Sequence, residues 1–169
     1  MVNSIENFLT PEECKYFIEY IDKTNHRSSV AEGKSISVIS TARTSHTSTL
    51  DKEDQKTVRL NKKIATFLGV PLEKGEALQG QRYEEGQYFK PHTDFFQGDS
   101  YDNHCLASGN RTHTLMIYLN DVEEGGETTF PRLAKEFFPK QGRAVFWENM
   151  IDGAVQEDML HEGSSVKKG

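Results

Sequence analysis

Short β-forming stretches separated by turn residues fill the second half of the sequence, and this pattern restricts the fold more than any other feature. The stretches lie at 77–83, 112–119, 143–147 and 159–163. Asn120-Asp121, Gly125-Gly126 and Asp152-Gly153 are turn signals between them. Many short strands joined by turns favour a sandwich or barrel over a parallel sheet.

Two helices are predicted ahead of these strands. Thr10, Pro11 and Glu13 form a helix start with a capping box. The apolar residues that follow recur at helical spacing: Cys14, Phe17, Ile18 and Ile21. A second helix is predicted over 51–68, and Gly69 then ends it. The fold class is therefore α+β.

Length and composition favour one domain over 1–169 and exclude several kinds of partner. The net charge of −6 and the pI near 5.5 argue against nucleic acid, which selects basic surfaces. We expect no membrane span and no signal peptide, because the sequence has neither a long apolar run nor a basic start before one. Cys14 and Cys105 have no metal-type spacing, which predicts a reducing, cytoplasmic location. A monomer or weak dimer is expected.

A candidate metal site begins at His92 and Asp94. Residues two apart in a strand point to the same face, so this imidazole and carboxylate could share one metal ion. His161 is the best third ligand, because a jelly roll can bring a late strand beside an earlier one. Two histidines and one carboxylate with open positions are typical of non-haem Fe(II) oxygenases. The alternatives are a surface hydrogen-bonded pair at 92 and 94 and a hydrogen-bonded core histidine at 161.

Two polar segments are expected to lie outside the core. The segment 26–49 contains one β-like piece at 36–39, and its part at 43–48 is expected to be a solvated loop rather than a substrate-facing one. The segment 95–110 is rich in Gly, Asp, Asn and Ser, which predicts a mobile loop.

Several motifs occur together in a characteristic order. They are Arg82-Tyr83-Glu84-Glu85-Gly86-Gln87, Pro91-His92-Thr93-Asp94-Phe95-Phe96, the Val-Glu-Glu-Gly-Gly-Glu-Thr run at 122–128, Pro-x-x-Gly-x-Ala-x-x-Trp at 139–147, and Leu160-His161-Glu162-Gly163. With them, the chain resembles the prolyl 4-hydroxylase branch of the 2-oxoglutarate/Fe(II)-dependent dioxygenases from about Thr10 onward.

The resemblance implies a fold and a reaction. The fold is a double-stranded β-helix, a jelly roll with supporting N-terminal helices. His92, Asp94 and His161 would bind Fe(II). The activity implied is hydroxylation of proline at C4 in a peptide or protein, with O₂ and 2-oxoglutarate consumed and succinate and CO₂ released. Ascorbate is implied as a further requirement.

The resemblance also assigns supporting residues. Tyr83 and Thr128 match positions that hold 2-oxoglutarate, and Arg111 and Arg43 match positions near the peptide substrate. The loops at 31–50 and 95–110 would close over that peptide and exclude water. Core packing for Tyr83, β-propensity for Thr128 and a surface ion pair for Arg111 are the alternatives.

Two positions depart from the family pattern. A lysine that pairs with 2-oxoglutarate is expected ten positions after the second histidine, at 171, which is past Gly169. Phe89 stands where a tyrosine is expected, and Tyr88 precedes it by one residue. Because a one-residue slip reverses the face of a strand, Tyr88 is not expected to replace that tyrosine.

Two other functions fit the same residues. The first is a dioxygenase of this class that acts on a free amino acid or another small molecule. The second is a non-catalytic module that binds proline-rich segments around a degenerate metal site.

Overall fold

Strands make up most of the structure, a computed structural model that describes residues 1–28, 30–32, 35–38, 41–98, 101, 105 and 109–169. The helices are α1 (Pro11–Thr24) and α2 (Gln55–Leu68). The strands are β1 (Val2–Ile5), β2 (His26–Arg27), β3 (Val30–Glu32), β4 (Ser35–Val38), β5 (His46–Thr49), β6 (Gln79–Arg82), β7 (Phe89–His92), β8 (His113–Ile117), β9 (Glu124–Gly125), β10 (Thr128–Phe130), β11 (Lys135–Phe137), β12 (Ala144–Glu148), β13 (Met150–Ile151), β14 (Ala154–Val155), β15 (His161–Gly163) and β16 (Val166–Lys168). Short 3₁₀ helices lie at Leu72–Lys74, Pro131–Leu133 and Glu157–Met159.

Helix α1 forms as its capping signals predict. The Glu13 amide donates to Thr10 Oγ1 at 3.2 Å, and the Thr10 amide donates to Glu13 Oε2 at 2.9 Å. These two bonds satisfy amides that a helix start leaves unpaired. Its buried residues are Cys14, Phe17 and Ile21, which confirms the predicted apolar face.

Helix α2 begins later than predicted, at Gln55 rather than at 51. Asp54 is the N-cap, because its Oδ1 accepts from the Thr57 amide at 2.9 Å. Asp51 instead forms a turn, in which its Oδ1 accepts from the Glu53 amide. The predicted end is confirmed, since Gly69 adopts the left-handed conformation with φ of 68°.

Two antiparallel sheets build the jelly roll. One has the order β1-β12-β8 and the other β11-β10-β15-β7. Side chains from both sheets meet in one core cluster, where the Phe130 and Trp147 rings lie edge to face with centroids 5.1 Å apart. Val2 of the first strand pairs with Trp147. The predicted α+β jelly roll is confirmed.

The helices cover a second core cluster beside the strands. Phe8, Leu9, Cys14, Phe17, Leu50, Leu60 and Ala144 form its buried part. Helix α1 lies so close to β6 that a Cβ atom at Gly80 would overlap the Ile21 side chain. The strand that leads to Tyr83 is therefore fixed directly by α1.

The expectation that 43–48 is a solvated loop is wrong. Strand β5 lies between β2 and β6, and Ser45 and Ser48 are completely buried. Their burial is tolerated because hydroxyls bond to each other: Ser28 Oγ lies 2.9 Å from Ser45 Oγ and 2.7 Å from Thr47 Oγ1. The predicted β-piece at 36–39 corresponds to β4, although residue 39 lies outside the described residues.

Half of the predicted mobile loop at 95–110 lies outside the described residues, so its mobility stays a prediction. Across the described parts of the chain, neither α1 nor α2 has the length and apolar character needed to cross a bilayer.

Candidate metal centre

Strand pairing brings the two predicted histidine ligands together. His92 ends β7, His161 begins β15, and the two residues are partners across this antiparallel pair. Their imidazole centroids are 4.3 Å apart. Residues distant in sequence thus become neighbours through sheet register.

Asp94 completes the group. Its Oδ1 lies 3.7 Å from His92 Nε2 and 3.8 Å from His161 Nε2. The possible ligand atoms of the three residues all lie within 4.8 Å of one another. One detail of the sequence interpretation is wrong: β7 ends at His92, so Asp94 lies in the bend after the strand rather than within it. The bend still directs the carboxylate towards both imidazoles.

Both imidazoles turn Nε2 towards Asp94 and Nδ1 towards a backbone carbonyl. His92 Nδ1 is 2.9 Å from the Lys90 carbonyl, and His161 Nδ1 is 2.8 Å from the Met159 carbonyl. A carbonyl only accepts, so each Nδ1 carries a hydrogen, and in a neutral ring Nε2 then keeps its lone pair for a metal. Burial, followed by the neighbouring His161, lowers the pKa of His92 to about 4. His92 is therefore neutral near pH 7, as a metal ligand must be.

A chain of hydrogen bonds holds the other carboxylate oxygen. Thr114 Oγ1 donates to Asp94 Oδ2 at 2.6 Å. The Asn149 amide donates to Thr114 Oγ1 at 2.8 Å, and the Trp147 indole donates to Asn149 Oδ1 at 3.0 Å. The sequence interpretation missed Thr114 and Asn149. The sequence placed Thr114 in the β-forming stretch 112–119, but it gave no indication of the partner of its hydroxyl.

The group is buried on one side and more open on the other. The His161 ring contacts the rings of Trp147 and Phe130, at centroid distances of 4.8 and 5.3 Å. Its side chain is 7% exposed, compared with 17% for Asp94 and 24% for His92. A ligand would therefore reach the group from the side of His92 and Asp94.

Phe89 and Arg43 lie beside His92. The Phe89 ring stacks on the His92 ring, and the Arg43 guanidinium lies 4.8 Å from the Phe89 centroid. Arg43 Nε also donates to the buried Ser45 Oγ at 3.1 Å. Tyr88 points elsewhere and donates to the Thr41 carbonyl at 3.3 Å, which agrees with the prediction that it does not replace a tyrosine at 89.

Tyr83 and Thr128 meet at Gly163, two residues after His161. Thr128 is buried and is the strand partner of Gly163. The Tyr83 hydroxyl would lie 3.9 Å from a Cβ atom at Gly163. Tyr83 and Thr128, which the sequence assigned to 2-oxoglutarate, therefore both lie close to Gly163, on the strand that begins at His161.

Tyr118 belongs to the same polar group and was missed from sequence. Its hydroxyl lies 2.7 Å from Thr128 Oγ1 and 2.8 Å from the Phe137 carbonyl, and it accepts from the Thr128 amide at 3.1 Å. Burial raises the pKa of Tyr118 to about 12, so the hydroxyl stays protonated and can donate. In the sequence, Tyr118 stands near the end of the β-forming stretch 112–119, and nothing there indicates a polar partner for its hydroxyl.

Arg111 lies close to Asp94 but is already paired. It forms a two-pronged ion pair with Glu76, with Nε–Oε1 at 2.6 Å and Nη2–Oε2 at 2.9 Å. Burial lowers the pKa of Arg111, but the bond to Glu76 and the negative charges of Glu76 and Asp94 together outweigh this effect and raise the pKa overall. Its Nη1 also donates to the Asp94 carbonyl at 3.4 Å. The guanidinium thus supports the bend that carries Asp94.

The two lysines nearest the last residue pair with surface glutamates. Lys167 Nζ lies 3.2 Å from Glu124, and Lys168 Nζ lies 2.6 Å from Glu123. The lysine expected at 171 stays a prediction.

The donor set fits a divalent transition metal. Two neutral imidazole nitrogens and one carboxylate oxygen are suitable ligands for such an ion, and three ligands leave coordination positions for small molecules. Two histidines and one carboxylate with open positions are the ligand set of non-haem Fe(II) oxygenases.

Comparison with known proteins identifies the family. Residues 78–169 match the family model for the 2OG-Fe(II) oxygenase superfamily, and the chain belongs to this family. It is similar to probable prolyl 4-hydroxylase 10 of Arabidopsis thaliana, with 38% identity over 96% of this chain and 63% of the relative. Probable prolyl 4-hydroxylase 3 of the same plant is 32% identical, with the same coverage. The chain thus spans 63% of the length of these curated relatives.

A solved structure is similar over nearly the whole chain. It is the crystal structure of the viral collagen prolyl hydroxylase from Paramecium Bursaria Chlorella virus-1, in its 2OG complex. The TM-score is 0.75 at 29% identity, and the match covers 99% of this chain and 90% of that one.

Proposed function

We propose that this protein is a prolyl 4-hydroxylase that uses Fe(II), O₂ and 2-oxoglutarate to hydroxylate proline in a peptide or protein. The observation that carries the proposal is the convergence of His92 Nε2, His161 Nε2 and Asp94 Oδ1 on one point beside an open side of the jelly roll. The plant relatives named prolyl 4-hydroxylases and the viral collagen prolyl hydroxylase support proline as the substrate.

Each group of residues has a distinct role in this proposal. His92, Asp94 and His161 hold the Fe(II), and the positive charge that remains favours capture of the 2-oxoglutarate dianion. Tyr83 and Thr128 orient 2-oxoglutarate beside Gly163. Bound iron with O₂ and 2-oxoglutarate supplies the oxidising chemistry, with succinate and CO₂ as products. The rings of Trp147, Phe130 and Phe89 keep water from the ligands.

Arg43 and Arg111 border the open side and are assigned to the peptide. Of the two, Arg43 is the more available to bind the peptide, because the Arg111 guanidinium is paired with Glu76. Closure of the segments 31–50 and 95–110 over the peptide, a need for ascorbate, a cytoplasmic location and a monomeric or weakly dimeric state stay predictions.

Succinate formation tests the proposal. The wild-type protein with Fe(II) and 2-oxoglutarate should form succinate faster when a proline-rich peptide is added, and the peptide should gain hydroxyproline. His92→Ala and Asp94→Ala should abolish both products. His26→Ala is the matched control, because His26 is exposed on β2 and lies outside the metal group.

The outcomes separate the competing functions. Stimulation by free proline but not by the peptide would indicate a small-molecule dioxygenase. Tight binding of the peptide without any affinity for 2-oxoglutarate would indicate a binding module, and either result would reject the proposal.

A further inference from the structure

The hydrogen-bond chain behind Asp94 has a fixed direction from end to end. An indole N–H only donates, so Asn149 must turn its Oδ1 towards Trp147. Its amide nitrogen, which also only donates, must then face Thr114. The Thr114 hydroxyl accepts that bond and has one hydrogen left, which goes to Asp94 Oδ2.

This chain is buried and built on rigid elements. Asn149 is fully buried and Trp147 is 2% exposed. Thr114 and Trp147 are partners in the pairing of β8 with β12, so the sheet register sets their spacing. The backbone N–H of Asn149 also donates to the Thr112 carbonyl at 2.7 Å, which fixes the backbone of the central residue of this hydrogen-bond chain.

The two oxygens of Asp94 consequently have different surroundings. Oδ1 faces both histidine Nε2 atoms, whereas Oδ2 accepts the short bond from Thr114. We propose that Trp147, Asn149 and Thr114 are positioning residues that make Asp94 a ligand through Oδ1 alone and keep Oδ2 turned away from the metal. This inference rests on the metal centre of the proposed function.

One-oxygen ligation has a functional consequence. A carboxylate that binds through both oxygens takes one more coordination position than a carboxylate that binds through one. The positions that 2-oxoglutarate and O₂ require therefore depend on the Thr114 hydrogen bond. Loss of that bond frees Oδ2 to turn towards the metal.

Cobalt(II) is the probe for a test, because its visible absorption spectrum responds to coordination number and it accepts the same ligands. Thr114→Val removes the hydroxyl and keeps the side-chain shape, whereas Thr114→Ser keeps the hydroxyl. Thr129→Val is the matched control, because Thr129 bonds to Glu162 on β15 instead of to a metal ligand.

In T114V, we expect the Co(II) spectrum to change and the dissociation constant to rise about tenfold or more. T114S and T129V should keep the wild-type spectrum and stay within about twofold in affinity. Asn149→Asp is the second variant, in case T114V fails to fold. Its carboxylate accepts from both Trp147 and Thr114, so the Thr114 hydrogen leaves Asp94 and the spectrum should change as in T114V.

Unchanged Co(II) binding and spectrum in T114V, or in N149D if T114V does not fold, would overturn the inference while the metal centre stands. Equal losses in T114V and T114S would overturn it too, because the hydroxyl would then not be the cause. A wild-type protein that binds no Co(II) would instead overturn the metal centre, and this inference with it.

Discussion

The Phe89 ring lies nearly parallel to the His92 imidazole, with centroids 3.6 Å apart and an interplanar angle of 18°. On the same phenyl ring lies the Arg43 guanidinium, 4.8 Å from the centroid. The phenyl ring therefore links a residue assigned to the substrate with a residue assigned to the metal.

Replacement of Phe89 should weaken metal binding. Phe89→Leu removes the stack that holds the imidazole, and we expect a loss of about 1 kcal/mol, or about fivefold in Co(II) affinity. Phe89→Tyr keeps the ring and should bind as wild type does. Titration with Co(II) measures both. Phe138→Leu, at a side chain that is 54% exposed, is the control. An unchanged affinity in Phe89→Leu would mean that the Lys90 carbonyl alone orients His92.

Replacement of Arg43 should affect the peptide and spare the cosubstrate. Arg43→Gln removes a guanidinium that Ser45 and Phe89 hold in place, so we expect KM for a proline-rich peptide to rise about tenfold or more. The KM for 2-oxoglutarate should stay unchanged. Arg27→Gln, at an exposed residue of β2, is the control. A rise in both KM values would place Arg43 in the 2-oxoglutarate site instead.

Removal of the Tyr118 hydroxyl should destabilise the fold and disturb Thr128. Tyr118→Phe leaves the Thr128 amide without its acceptor, which costs about 1–3 kcal/mol of unfolding free energy. The KM for 2-oxoglutarate should rise as Thr128 loses its anchor. Urea unfolding and succinate assays measure these effects. Tyr88→Phe, whose hydroxyl bonds to an exposed carbonyl, should change stability little.

Ionisation of Tyr118 should lower the stability of the fold at alkaline pH. The folded pKa of about 12 exceeds the ordinary value of 10, so the unfolded chain ionises first as the pH rises. The contribution of Tyr118 to the free energy of unfolding is intact below pH 10 and is lost between pH 10 and 12. The loss is about 1 kcal/mol at pH 11. Urea unfolding at pH 9 and 11 should show a larger decrease in wild type than in Tyr118→Phe. Equal decreases in wild type and in Tyr118→Phe would show that Tyr118 is not the cause of the alkaline loss of stability.

A larger residue at 163 should exclude 2-oxoglutarate and spare the metal. A Cβ atom at Gly163 would have contacts of 3.7 to 3.9 Å, which are ordinary, so Gly163→Ala should fold and bind Co(II) as wild type does. Gly163→Val adds bulk next to the Tyr83 hydroxyl, and we expect 2-oxoglutarate affinity to fall about tenfold or more. Calorimetric titration of 2-oxoglutarate into the Co(II) protein separates the two variants. If Gly163→Val kept the wild-type affinity for 2-oxoglutarate, the cosubstrate would not bind next to Gly163.

Local signals made part of this structure predictable. The capping box at Thr10 and Glu13 depends on residues three apart, so it can be read directly from the sequence. The choice of His161 required a long-range assumption, namely that a jelly roll brings a late strand beside an earlier one. The pairing of His161 with His92 supports that assumption.

Other features depend on register, which the sequence does not display. Thr114 and Trp147 become partners only through the pairing of β8 with β12. The hydroxyls of Ser28, Ser45 and Thr47 appeared to be typical of a solvated loop. The sequence shows that these side chains are polar, but it does not show that they hydrogen-bond to one another in the interior. The late start of α2 had a different cause, since both Asp51 and Asp54 are suitable caps and only Asp54 bonds to the helix.

The pairing of Val2 with Trp147 has a consequence for how the protein assembles. Strand β12 needs a neighbour that is almost the whole chain away, and contacts of such long sequence separation slow folding. We therefore expect the ladder between β1 and β12 to close late, and the indole that orients Asn149 to reach its final place with it. Iron would then be captured at the end of folding, and a protein denatured with a chelator should regain its secondary structure before it regains a tight metal site.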